Sequence, residues 1–144
     1  MVRRFSILSA SRIASGEVPR GSVQDDLARS SPYRAFSTLT AQGSIFTFPL
    51  VNTTDVALQL ASGGSETLLF ANAGLEHVQR GLIKVKQASS GPVGALSYSA
   101  ISGSVKWPGG SSHSITNSVN AIDIIEYFVD GADVYLTLLG ANYS

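Results

Sequence analysis

Histidine, the side chain whose ordinary pKa suits acid–base work near neutrality, occurs twice in this sequence, at His77 and His113. Neither has a second His, Cys, Asp or Glu three or four residues away. Metal chemistry needs three or four convergent ligands, so both read as solvated loop histidines. Cysteine is absent, which removes thiolate nucleophiles, disulfides and Cys-type zinc sites. Serine is plentiful, yet no Gly-x-Ser-x-Gly elbow occurs, and a hydroxyl without an oriented base is not a nucleophile. Asp123, Glu126, Asp130 and Asp133 cluster late in the chain, as a calcium cage or a glycosidase pair would require. Strand alternation puts Asp123 on the face opposite Glu126 and Asp130, so a solvated strand and turn is expected instead. Gly103-Ser104-Val105-Lys106 and Gly109-Gly110-Ser111 resemble phosphate cradles only faintly. Neither has P-loop spacing, and Pro108 removes an N–H that such a cradle would use. Asn52-Thr53-Thr54 and Asn142-Tyr143-Ser144 match the glycosylation sequon, with nothing to indicate eukaryotic secretion. No catalytic residue, metal site or cofactor is expected.

The elements that must carry these residues read as strands. After Phe36, runs of four to eight residues rich in Val, Ile, Thr, Phe and Tyr alternate with Gly, Asn, Ser and Pro clusters. Period two aligns Phe46, Phe48 and Leu50 on one face, and likewise Val56, Leu58 and Leu60, Leu68 and Phe70, Ile83 and Val85, and Leu96 and Tyr98. Shorter runs follow at Ser104 to Trp107 and Ser112 to Thr116. Two long runs, Val119 to Val129 and Ala132 to Leu139, close the chain. Ile122, Ile125 and Phe128 would also line a helix, but the β-branched content of Ala121 to Val129 argues for a strand with both faces covered. Asp130-Gly131 between the last two runs signals a type I′ hairpin. The fold expected is all-β: an antiparallel β-sandwich of jelly-roll type over residues 37–144, preceded by an extended N-terminal arm over residues 1–36. The absence of a fixed-period repeat speaks against a propeller or solenoid.

Residues 1–36 hold six arginines and three acids, whereas residues 37–144 hold four basic and seven acidic side chains. The first segment keeps no apolar period and cannot bury enough surface to fold alone. One short helix is expected at Val23 to Ser30, with Ser22 as its N-cap. Two readings of the arm stand. One is a solvated tail. The other is an anchor ordered against a partner, with Phe5, Ile7, Leu8, Ile13, Val18, Leu27, Tyr33 and Phe36 as apolar pegs. Arg12, Arg20, Arg29 and Arg34 would then serve as bidentate donors to carboxylates. Fully extended, the segment reaches about 120 Å, enough to cross between neighbouring subunits.

Composition bounds the function. A chain of 144 residues, 44% hydrophobic and 14% charged, with mean hydropathy +0.18, suits one soluble domain plus an extension. Zero net charge argues against a nucleic-acid partner bound through a globally basic field. The apolar run Phe5-Ser6-Ile7-Leu8 behind Arg3 and Arg4 is broken by Ser9, Ser11 and Arg12, too short for a signal peptide. Nothing approaches the 18 apolar residues of a membrane span, so synthesis in the cytoplasm and no membrane partner are expected.

Three motifs in order carry a resemblance: Gln79-Arg80-Gly81-Leu82-Ile83-Lys84-Val85-Lys86-Gln87, then Val105-Lys106-Trp107-Pro108-Gly109-Gly110, then Ala121-Ile122-Asp123-Ile124-Ile125-Glu126-Tyr127-Phe128-Val129-Asp130-Gly131 with Val134-Tyr135-Leu136. Over residues 43–140 the chain resembles a β domain recurrent in tailed-bacteriophage virion proteins (tail fibre, baseplate or capsid decoration type). That resemblance implies a non-enzymatic structural protein located in the virion, made in the host cytoplasm. With only 36 residues ahead of the domain, the expectation is a small accessory subunit, either capsid decoration (cement) or a short tail or baseplate fibre. Its partners would be itself, as a homotrimer, and other virion proteins of capsid, tail or baseplate. The alternative is a receptor-binding module for host surface glycan. Trp107, Ile124, Tyr127 and Tyr135 are candidate subunit-interface or core residues. A truncation to residues 37–144 is expected to fold but to lose attachment to particles, measured by co-sedimentation. Binding equal to that of the full chain would remove the anchoring role from the arm.

Overall fold

The structure, a computed structural model, describes residues 35–51 and 53–144. The arm residues Phe5, Ile7, Leu8, Arg12, Arg20, Leu27, Arg29 and Arg34, and the helix expected at Val23 to Ser30, lie outside the described residues. The chain divides between Arg34 and Ala35, two residues before the expected boundary, and the second unit runs from Ala35 to Ser144. Among the described residues no helix is long and apolar enough to cross a membrane.

That unit is all-β. Its strands are β1 (Ser37–Thr38), β2 (Ile45–Phe48), β3 (Val56–Gln59), β4 (Ser65–Phe70), β5 (Gln79–Lys86), β6 (Ala95–Ala100), β7 (Val105–Lys106), β8 (Ile122–Val129) and β9 (Val134–Tyr143), with one 3-10 turn at Pro108–Gly110. They form a six-stranded sheet in the order β1-β3-β5-β8-β9-β7 and a three-stranded sheet in the order β2-β4-β6. From β1 to β6 the chain alternates between the two sheets, so each strand returns beside its predecessor in the same direction. Thus β1/β3, β3/β5, β2/β4 and β4/β6 are parallel pairs. Ser37, Val56 and Ile83 stand abreast although 19 and 27 residues separate them. Those unequal turns explain why no fixed period shows in the sequence.

The pairing is therefore mixed, where antiparallel pairing throughout was expected. Only β5/β8 and β8/β9 are antiparallel, and β7 joins β9 in parallel. The physical reason lies in what alternation encodes. A period of two specifies which face of a strand is buried; it carries no information about strand direction. Parallel pairing needs a crossover connection; from β1 to β6 each crossover is a strand of the other sheet, whereas β7 and β9 are parallel because β8 of their own sheet runs between them in the chain.

Alternation places the core as expected. Phe46, Phe48, Leu50, Val56, Leu58, Leu60, Leu68, Phe70, Ile83, Val85, Ile125, Val129, Val134 and Leu136 join one buried cluster fed by both sheets. At its centre is Tyr127 of β8, fully buried. Its ring meets Phe48 edge-on at 5.1 Å and Phe70 at 6.1 Å, binding the large sheet to the small one. The Tyr127 hydroxyl donates to the Thr54 carbonyl at 2.6 Å and accepts from Gln79 Nε2 at 3.0 Å. Gln79 also donates to the Thr53 carbonyl (2.7 Å), and the Leu82 N–H donates to Asp55 Oδ1 (2.9 Å). Gly81 is required between them, because a Cβ there would overlap the Thr54 carbonyl oxygen. The Gln79-Arg80-Gly81 motif is thus a seam that fastens the turn before β3 onto β5.

Four local expectations differ from the structure. Ser112 to Thr116 is not a strand; side chains hold it as a loop. β8 starts at Ile122 rather than Val119, since Asn120 has φ 61° and turns the chain. The β8–β9 connection spans Asp130–Asp133 with positive φ only at Gly131, so it is not a two-residue type I′ turn. There the Asp130 carboxylate accepts from the Ala132 and Asp133 N–H groups at 3.2 and 2.8 Å, which lengthens the turn. Finally, β8 is covered on one face only: Phe128 on the other is 41% exposed.

The replacement Tyr127→Phe leaves the ring packing but strips the Thr54 carbonyl of the phenol donor and costs the Gln79 amide one of its two hydrogen bonds. A loss of about 1–3 kcal/mol is expected in urea unfolding. Arg80→Ala, which removes only the exposed ion pair to Glu126, should cost under about 1 kcal/mol in the same measurement.

Candidate functional site

The carboxylate expected to be solvated is the most buried one. Asp123, on the inward face of β8, is 1% exposed. Its Oδ1 accepts from the Thr116 hydroxyl (2.7 Å) and the Asn142 N–H (3.0 Å). Its Oδ2 accepts from the Thr116 N–H (2.8 Å) and lies 3.1 Å from His113 Nε2. Burial pushes the carboxyl pKa up, but these hydrogen bonds outweigh it and hold the group below its ordinary value. Asp123 thereby pins the loop between β7 and β8 and the end of β9. The expected separation from Glu126 and Asp130 is observed; the expected solvation is not. His113 is likewise corrected: it is packed against Asp123 with its side chain 23% exposed.

Two further buried amides clamp loops in the same way. Gln87 donates to the Gly94 and Thr116 carbonyls and accepts the N–H groups of Gly94 and Ala88. Asn72 donates to the Ser102 and Ala132 carbonyls and accepts the Ser102 N–H. Both are fully buried, and their hydrogen-bonding capacity is spent on the protein's own backbone.

The cradle-like segment Gly103-Ser104-Val105-Lys106 is filled from within. Asp133 Oδ1 takes the Ser104 N–H at 2.8 Å, and Asp133 Oδ2 takes the Lys106 ammonium at 2.6 Å. The hydrogen bond to Lys106 holds the Asp133 pKa down, and the reciprocal bond raises that of Lys106. A Cβ on Gly103 would overlap the Ala132 carbonyl, so this glycine serves close backbone approach rather than an anion. In the second segment Gly109 and Gly110, at φ 70° and 79°, turn the chain after Trp107.

A cleft of about 600 Å³ opens between β6 and the segment from β7 to Ser112, lined by Leu96, Ser97, Tyr98, Val105, Lys106, Trp107, Gly110 and Ser112. Trp107 is half-buried; its ring meets Tyr98 edge-on at 5.3 Å and lies 6.3 Å from His113. The Tyr98 hydroxyl is buried and makes no hydrogen bond. Burial, and after it the nearby Asp123 charge, raises its pKa. An adjoining cleft of about 560 Å³ runs past Gly64, Gly94, Leu96, Ser112, His113 and Asn117. Among the described residues no three His, Asp or Glu side chains converge as a metal site would require.

The outer face of the large sheet is the other feature. Register places Arg80, Phe128 and Tyr135 abreast, then Leu82, Glu126 and Thr137, then Lys84 and Ile124. Phe128 and Tyr135 are 6.1 Å apart, and Lys106 stands 5.6 Å over the Tyr135 ring. Leu139 and Tyr143 extend the exposed apolar surface along β9. Of the four candidate interface or core residues, Tyr127 is core, Trp107 lines the cleft, and Ile124 and Tyr135 share this outer face. No protein-family model matches the chain, and neither a curated protein nor a solved structure matches it.

Sequence reading missed the Asp123–His113–Thr116 latch. Its only signal was an acid alone on the apolar face of a β-branched run. Because folding lowers the Asp123 pKa, its contribution is full above the unfolded value near 4 and is lost as pH falls through the folded one. Thermal midpoints from pH 7 to pH 3 should therefore drop more steeply for wild type than for Asp123→Asn. At pH 7 that variant should lose about 2–3 kcal/mol, since an amide NH₂ facing the Thr116 N–H sets donor against donor.

Proposed function

We propose that the protein is a non-enzymatic structural subunit of a tailed-bacteriophage virion, with a sandwich-type body that self-associates as a homotrimer through the outer face of β8 and β9. The observation that carries the reading is that face: on one side of two adjacent long strands, exposed Phe128 and Tyr135 form one apolar patch and exposed Leu139 and Tyr143 beside half-buried Ile122 and Ile124 form a second, with Glu126 and Thr137 between them. Exposed apolar patches bordered by polar side chains mark interaction sites. The three motifs that prompted the resemblance support a scaffold role, because each contributes residues that hold the fold: Gln79 and Gly81, Trp107 against Tyr98, and Asp123 with Tyr127. The arginine-rich N-terminal segment is assigned to anchoring on capsid, tail or baseplate.

The second reading, a module for host surface glycan, draws on the Tyr98–Trp107 cleft with its serine hydroxyls. It is the weaker one, because the Trp107 ring is already engaged by Tyr98 and by His113. In light scattering the full chain is expected to give a mass divisible by three. Phe128→Asp, at an exposed position, should abolish the threefold association while leaving the circular dichroism spectrum unchanged. A wild-type monomer at micromolar concentration would overturn the reading.

A further inference from the structure

A sheet edge presents a row of backbone donors and acceptors that folded proteins normally shorten, bulge, charge or cover. Four edges here show such treatment: β2, the other edge of the small sheet, is four residues long and has its Ile45 N–H and C=O paired with Gln42. β1 and β7 are two residues long. The outer edge of β9 beyond Tyr135 lies on a strand broken by irregularities between Leu138 and Gly140 and between Gly140 and Tyr143. β6 shows none. Its six residues, Ala95-Leu96-Ser97-Tyr98-Ser99-Ala100, pair with β4 without a register shift and contain no charge and no proline.

The direction of its free groups follows from the register. The Ala95 N–H donates to the Gly64 carbonyl and the Ile101 N–H to the Phe70 carbonyl, so odd-numbered residues address β4. In a strand the intervening residues point their N–H and C=O groups the other way. Leu96, Tyr98 and Ala100 therefore direct theirs outward, and among the described residues no strand takes them. The 600 Å³ cleft along Leu96, Ser97 and Tyr98 lies between β6 and the segment from β7 to Ser112, which reaches β6 through the Trp107 ring on Tyr98.

We propose that β6 is a self-pairing edge: Ala95–Ala100 of one copy pairs antiparallel with the same strand of a second copy, across a two-fold axis at Tyr98. A two-fold contact must be complementary to itself, and this strand is. Tyr98 opposes Tyr98, bulky Leu96 opposes small Ala100, and Ser97 opposes Ser99. No charge meets its own copy. The three outward-facing residues of each strand form closely bonded pairs, each exchanging two hydrogen bonds, which joins two three-stranded sheets into one of six. On the exposed face the Thr67–Ser97 hydroxyl contact at 2.9 Å already begins a hydroxyl ladder, and Ser99 of the second copy continues it. The surface is separate from the outer face of β8 and β9, so the two associations can be removed one at a time.

The test is charge placed at the opposed serines of the full chain. Ser97→Lys with Ser99→Lys sets like charges against each other at both positions and should lower the mass in light scattering by half or more. Ser97→Glu with Ser99→Glu should do the same, and an equimolar mixture of the two variants should recover the parent mass. Circular dichroism monitors folding. Ala100→Pro, which removes an outward N–H and no bond to β4, supplies an independent lesion and should also lower the mass. A mass unchanged by the lysine pair, or a mixture that does not re-associate, overturns the proposal. If the Phe128→Asp variant loses threefold association yet its mass still halves on adding the lysine pair, edge pairing stands apart from the outer face. Where wild type is a dimer that the lysine pair makes monomeric, the trimer reading fails and edge pairing holds.

Discussion

The hydroxyl of Tyr127 is the interaction on which the rest of the fold depends. A phenol at the centre of a core must have its polar atom satisfied, and this one reaches the Thr54 carbonyl while its ring packs on Phe48 and Phe70. One side chain of the large sheet therefore fixes the spacing to the small sheet and also the turn that leads into β3. Gln79 completes the hydrogen bonding, and Gly81 lets the Thr54 carbonyl come close enough. Were the turn to shift, a buried hydroxyl, an amide and a carbonyl would lose their partners together.

Parallel strands wound between two sheets need something to end the winding, and in the large sheet that is β8. It lies antiparallel to β5, with Ile83 opposite Ile125 and Gly81 opposite Tyr127, and passes the sheet on to β9. Asp123, near the start of β8, extends this role to irregular chain: one carboxylate gathers Thr116 and His113, which lie in a loop, and Asn142, where the β8–β9 register is broken. The arrangement resembles the base-and-orienter half of a hydrolytic site. What distinguishes it is that the remaining hydrogen bonds to the carboxylate come from Thr116 and the backbone of β9, which fixes geometry for a loop rather than for a reaction.

Most of the burial was legible in the sequence and most of the pairing was not. The inward positions of β2 to β5 follow from period two, because exposure of an apolar residue is decided locally by strand pleat. Strand direction depends on where the chain crosses, and no dipeptide in the loops between Leu39 and Ala95 encodes that. Asp130-Gly131 correctly marked a reversal, but its detailed shape was set by the Asp130 side chain bonding two residues of its own turn. The buried amides Gln87 and Asn72 were invisible for a related reason. A polar residue beside a strand end reads as surface until the carbonyls it will satisfy are known, and those lie 7 to 60 residues away. His113 and Asp123, ten residues apart, were hidden by the same distance in chain.

The three motifs take on a common meaning in this light. Gln79 and Gly81 secure a turn, Trp107 to Gly110 ends a strand against Tyr98, and Asp123 with Tyr127 ties loop and core to β8. All three act on the large sheet or its borders, and together they stop the winding on that side. The small sheet has no counterpart to β8. Its last strand, β6, meets only the loop that carries Trp107, and that loop leaves a cleft instead of a ladder of hydrogen bonds. A coil capped in one sheet and uncapped in the other concentrates its unsatisfied backbone at one place, so the asymmetry of the fold, more than any single side chain, marks where another strand would be accommodated.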